Sequence, residues 1–205
     1  MSRIAITLEI VDTGEDLGAL PCLFSLEIGG QPILLLGECA RSQGIPSHDA
    51  SYGVYSLFEA TQGLLLTLLA DHHPVLDPED PYAAPLFVAE CGMDCCGYHD
   101  LGIYHRGGAI VVEVPERGQR YTVEAAEYAA AVMSAVRGFL QLALGEKRLR
   151  DDEAWHLYDH LAWLVRRVAY DGPVSIRQVC RKFLDEAEEQ IQQATQPVQA
   201  VQGTH

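Results

Sequence analysis

The stretch AIVVEVPERGQRYTVEAAEYAAAVMSAVRGFLQLALG, residues 109–145, changes its hydrophobic period partway along. AIVVEVP (109–115) is short, β-branched and bounded by turn residues, as a strand is. From Thr122 onward the chain is alanine-rich and apolar over most turns of a 3.6-residue period. Thr122 is placed as the N-cap of a helix and Gly145 as its stop, so the pattern predicts a helix over 122–145. A helix apolar over much of its circumference has to be enclosed by other elements.

C-terminal to this point the pattern stays helical. Residues 151–172 open with Asp151, Asp152 and Glu153 and close at Gly172, the charge order that the helix dipole favours. A last helix, 175–194, carries apolar residues at Ile176, Val179, Cys180, Phe183, Leu184, Ala187 and Ile191. Ser175 and Gln178 have capping-box spacing, and Val174 and Val179 are placed as the accompanying hydrophobic staple.

N-terminal to it the signals are those of strands. RIAITLEIV (3–11) alternates with period two, and residues 22–39 read as two strands around Gly29-Gly30. Residues 86–90 form a further short strand. Residues 98–115 read as a hairpin turning at Arg106-Gly107-Gly108. One helix interrupts the strands, starting at Ser56 with a capping box to Glu59 and ending before Pro74. A strand through LLLTLL (64–69) is its alternative. The four prolines between Pro74 and Pro85 exclude regular structure there. The expectation is one α+β domain over 1–195, with an antiparallel β-sheet from the N-terminal part packed against C-terminal α-helices. Residues 1–115 would be β-rich with one helix, residues 120–195 helical, and residues 196–205 a frayed tail.

Charge is unevenly placed on this chain of 205 residues and net charge −15. Residues 1–100 hold 15 carboxylates against only Arg3 and Arg41, whereas residues 101–205 are nearly balanced. So acidic a half repels a phosphate backbone, which argues against nucleic acid. It either steers a basic protein partner or serves solubility alone. No run reaches the roughly 18 apolar residues of a membrane span. The first residues lack the apolar core of an export signal, so a cytoplasmic location with reduced thiols is expected.

The chemistry-bearing residues cluster in FVAECGMDCCGYHDLGIYH (87–105), which contains Cys91, Cys95, Cys96, His99 and His105. These are ligand types that zinc takes in a tetrahedron, and Gly92 and Gly97 permit a tight wrap around an ion. Packing of small thiols at a tight turn is the more ordinary use of these residues. Thiol redox chemistry is the third reading, although no C-x-x-C spacing is present and Asp94 and Asp100 disfavour a thiolate. The segment resembles one in uncharacterised bacterial proteins, where a strand, a Cys-x-Cys-Gly-x-x-x-Cys-x-Gly turn and a hairpin follow one another. Cys91-Gly92 matches its Cys-Gly, and Cys95 or Cys96 with Gly97 matches its later part. Ala89 stands at the first cysteine, and the later spacing is one residue short. The resemblance spans about thirty residues and implies no activity.

A second constellation lies on the helix beginning at Asp151. His156 and His160 share a face, but Leu157 stands where a zinc protease needs glutamate. Tyr158, Leu161, Val165 and Val168 form the apolar stripe. Trp163 then falls nearly opposite, among His156, His160, Arg166 and Arg167. A tryptophan flanked by arginines on a polar face suits a protein-binding hot spot, unless a second element covers that face. There is no P-loop, dinucleotide-binding glycine fingerprint or nucleophile elbow. The expected function is non-catalytic: an acidic cytoplasmic protein-interaction module, inhibitor-like or immunity-like. Zinc binding through the 91–105 loop is the alternative, and a thiol redox sensor the third.

Overall fold

The computed structural model describes residues 3–10, 22–36, 54–69, 87–90, 98–106, 108–114, 117–145 and 151–195. Strands β1 (Ile4–Ile10), β2 (Cys22–Ile28) and β3 (Gln31–Leu36) form one antiparallel sheet in the order β1-β2-β3. Helix α1 (Val54–Thr67) follows. Strands β4 (Phe87–Glu90), β5 (Tyr98–Arg106), β6 (Ala109–Val114) and β7 (Gln119–Glu124) form a second antiparallel sheet, ordered as in the chain. Helices α2 (Ala125–Gly145), α3 (Asp151–Asp171) and α4 (Val174–Thr195) complete the α+β architecture. Among the described residues the strands thus form two small sheets rather than one.

Both hairpin readings hold. Gly29 (φ 63°) and Gly30 (φ 77°) are consecutive left-handed residues, the requirement of a two-residue turn whose twist matches its strands. The turn pairs Ile28 with Gln31. The N–H of Gly29 also donates to the carbonyl of Arg3 at 2.7 Å, which ties the turn to the start of β1. In the second sheet Arg106 pairs with Ala109 across residues 107–108.

The helix expected from Thr122 starts later. Thr122 lies in β7 opposite Val111, so it does not cap a helix. Gly118 (φ 60°) turns the chain after β6 and sends residues 119–124 back along it. Two β-branched residues, Thr122 and Val123, suit a strand, and pairing with β6 outweighs the helical potential of the residues that follow. Val123 is fully buried while Thr122 and Glu124 are exposed, the alternation of a one-sided sheet.

Two helix starts also differ from expectation. Ser56 lies inside α1, which begins at Val54, so Ser56 and Glu59 are not a capping box. The α4 start is set by Pro173, whose carbonyl accepts from the N–H groups of Ile176 (2.9 Å) and Arg177 (3.1 Å). Ser175 is therefore already helical, and Val174 is 80% exposed rather than stapled to Val179. Proline's fixed φ suits a helix start, and its missing N–H is lost where no helical acceptor exists.

Helix α2 is the centre of the packing. It touches β1, β6, β7, α1, α3 and α4. Tyr128, Ala129, Val132, Met133, Val136 and Phe139 are buried on it, and its alanines allow close approach on several sides. Buried side chains of both sheets and of the four described helices join in one continuous cluster. Residues 64–69, for which a strand was the alternative, belong to α1 and the turn after it, and Leu64, Leu65 and Leu68 are fully buried. No helix of the described residues is long and apolar enough to cross a membrane.

Candidate interaction surface

Helix α3 presents two contrasting faces. Leu161, Val165 and Val168 are fully buried, with Ala162, Leu164 and Ala169 beside them. Opposite them, His156, Asp159, His160, Trp163, Arg166, Arg167 and Tyr170 are exposed. The expected tryptophan position is therefore realised: Trp163 is 52% exposed.

Trp163 is held on both sides along the helix. The ring of His160 lies 6.1 Å from it, one turn earlier, and the guanidinium carbon of Arg167 lies 5.7 Å from its centroid, one turn later. A guanidinium near the negative face of an indole contributes about 0.5–1 kcal/mol at an exposed site. Arg167 is itself steadied by Asp171, with Nε 3.8 Å from Oδ2. His160 in turn packs on Phe58 of α1 at 5.7 Å, and Phe58 on Phe139 of α2 at 5.8 Å. A chain of rings thus runs from the core to the exposed indole. It limits the indole's rotamers, and less side-chain entropy is lost on docking.

Two further residues stand exposed at the C-terminal end of α3 and just after it, and the first of them extends this face. Tyr170 is 79% exposed, seven residues after Trp163 and hence on the same side. Val174 lies past the helix end at Gly172. The helical period from Trp163 could have found Tyr170. The exposure of Val174 depends on where α4 begins.

The cysteine cluster is placed only at its margins. Cys91, Cys95 and Cys96 lie outside the described residues. The seven residues 91–97 connect β4 to β5, and His99 stands opposite Ala89 at that end of β5. His105 stands at the other end, opposite Ile110. Six residues of extended strand separate the two histidines by about 20 Å. One ion held at the loop end of β5 can therefore use His99 but not His105 as well. Among the described residues no group of three or more His, Cys, Asp or Glu side chains could hold a metal ion.

A polar group on the second sheet is a structural ladder. The Tyr104 hydroxyl donates to Glu113 Oε1 at 2.9 Å, and Arg120 Nε donates to the same oxygen at 2.6 Å. Glu113 and Arg120 are directly paired between β6 and β7, so their attraction favours this register.

No protein-family profile matches the chain, and neither a curated protein nor a solved structure is significantly similar to it. The functional reading therefore rests on the surface itself.

Proposed function

We propose that this chain is a non-catalytic protein-interaction module that docks through the Trp163 face of α3. The observation that carries the proposal is the indole of Trp163, half-exposed yet held between His160 and Arg167. Tryptophan and arginine are the residue types most enriched where a few contacts dominate binding. The acidic first hundred residues add long-range attraction for a basic partner, as an inhibitor or immunity protein uses it.

The test is capture by the immobilised chain at low and high salt, with Trp163→Ala as control. A specific partner retained by the wild type and lost by the variant is expected. Salt should slow its association because steering is screened beyond a Debye length of about 8 Å at physiological ionic strength. Recovery of no specific partner, or capture indifferent to Trp163, would falsify the proposal.

A further inference from the structure

We propose that the outer edge of β1 is a second docking element, which takes up an extended segment of a basic partner as an added strand with lysine or arginine at alternate positions. This extends the reading of a basic partner to the acidic half of the chain, and it does not depend on Trp163.

The ladder of the first sheet shows which backbone groups the edge offers. The N–H of Gly29 donates to the carbonyl of Arg3, so these two residues form a hydrogen-bonded pair. Such pairs alternate along an antiparallel ladder. Ala5, paired with Glu27, and Thr7, paired with Ser25, therefore turn their backbone groups towards β2. The N–H and C=O groups of Ile4, Ile6 and Leu8 point the other way. Among the described residues no strand lies beyond β1. Ile4 and Ile6 are buried, whereas Ala5 and Thr7 are exposed. Ser25, one strand inwards from Thr7, is half-buried.

The other edge strands carry features that deter pairing. In β3, Pro32 has no N–H, the register shifts opposite it, and its carbonyl accepts from Arg117 Nη1 at 3.0 Å. Strand β4 has only four residues. Strand β7 carries Arg120 and Glu124. By contrast, β1 has seven residues in unbroken register, with no proline and no cation.

Charge selects the occupant. Residues 4–36 contain Glu9, Asp12, Glu15, Asp16 and Glu27 but no Lys, Arg or His. Glu9, paired with Leu23, stands at a register position of the same parity as Ala5 and Thr7. Glu27 stands opposite Ala5, whose single methyl leaves room for a long cationic side chain to reach across it. The added backbone would lie two strand spacings, about 10 Å, from that of β2, within the joint reach of lysine and glutamate. On the other face the added strand lies beside Ile4, Ile6 and Leu8, which suits valine or isoleucine. The occupant is an extended segment alternating basic with β-branched residues. Main-chain hydrogen bonds hold it, and its alternate side chains give specificity.

The test is amide hydrogen exchange of the intact chain by NMR, with and without a synthetic peptide alternating lysine and valine. In the free chain the amides of Ile4, Ile6 and Leu8 should exchange faster than those of Ala5 and Thr7. The peptide should slow Ile6 and Leu8 by about tenfold or more and leave the amides of α3 unchanged. An alternately N-methylated version of the peptide, and one alternating glutamate with valine, should give no such protection. Glu27→Lys, its fold verified by circular dichroism, should weaken the lysine–valine peptide by about threefold to tenfold. Outward amides already as slow as Ala5 and Thr7 in the dilute free chain would overturn the proposal, because the edge would then be covered from within the chain. Protection that rises with chain concentration alone would overturn it in favour of a second copy. So would equal protection by the glutamate–valine peptide, or an affinity indifferent to Glu27→Lys. Trp163→Ala should bind the peptide as the wild type does, and loss of binding there would overturn the proposal by placing the peptide on α3. Peptide protection is read on β1 and partner capture on Trp163, so failure of either reading is distinguished from failure of the other.

Discussion

The hydroxyl of Thr67 lies 2.9 Å from the hydroxyl of Tyr128 inside the core, although 61 residues separate them in the chain. Thr67 has one hydroxyl hydrogen, and it donates it to the carbonyl of Leu64 at 2.6 Å. Tyr128 must therefore be the donor to Thr67. Both residues are fully buried. Burial pushes the Tyr128 phenol well above its ordinary value. Thr67→Val leaves the phenol O–H without its acceptor, and a loss of about 1–3 kcal/mol is expected in urea unfolding. Tyr128→Phe removes only one acceptor's role from Thr67 and should cost less. The double variant should lose less than the sum of the two, because the stranded donor is gone.

The faces of α3 should respond oppositely to truncation. Leu161 is fully buried, and Leu161→Ala should cost about 2–5 kcal/mol. Trp163→Ala removes half-exposed surface and should change stability by roughly 1 kcal/mol or less. Chemical denaturation of both variants checks this. A large loss at Trp163 would mean that the indole supports the fold and not a partner.

Gly172 marks the corner between α3 and α4. Its N–H donates to the carbonyl of Val168 at 2.8 Å, and a Cβ on it would lie 2.5 Å from that same oxygen. Its own carbonyl accepts from Arg177 Nε at 2.6 Å, so the corner is tied to the first turns of α4. Gly172→Ala must move backbone, and a destabilisation of about 1–3 kcal/mol is expected by thermal or urea unfolding.

Cys180 is fully buried on α4, and burial pushes its thiol from 9.0 up to about 12. The folded chain holds this proton more tightly than the unfolded one. Its contribution to stability is complete below pH 9.0 and is lost as pH rises towards about 12. Alkylation of Cys180 near neutral pH is therefore expected only through opening of the structure. Peptide mapping after timed alkylation would show it, and rapid native labelling would contradict it.

Any zinc that copurifies with the chain should depend on His99 and not on His105, since about 20 Å of β5 separates them. Elemental analysis of His99→Ala and His105→Ala tests this directly. Loss of metal in the His105 variant alone would place the site at the hairpin end of the strand.

Much of the secondary structure was legible because its causes are local. The alternation in residues 3–11, the Gly29-Gly30 turn, and the apolar spacing of Ile176, Cys180 and Phe183 each act over a few residues. The Trp163 position was legible for the same reason, since a helical period alone places it opposite Leu161 and Val165. Residues 122–124 were misread as helix because their strand exists only through β6, which supplies the other half of each hydrogen bond. The helix pattern beginning just after them obscured it.

What the chain determined by itself is the identity of most elements, their order, and which side of α3 is apolar. The tertiary structure decided that the strands divide into two sheets, that α2 is enclosed by its neighbours, and that the opposite side of α3 stays open around Trp163. Burial is a property of assembled elements: Phe58 and Phe139 are far apart in sequence, yet Phe139 packs on Phe58 and Phe58 on His160, the neighbour of the indole. Local periodicity can say which residues of a helix are apolar. Only the packing of distant segments decides which face is left uncovered.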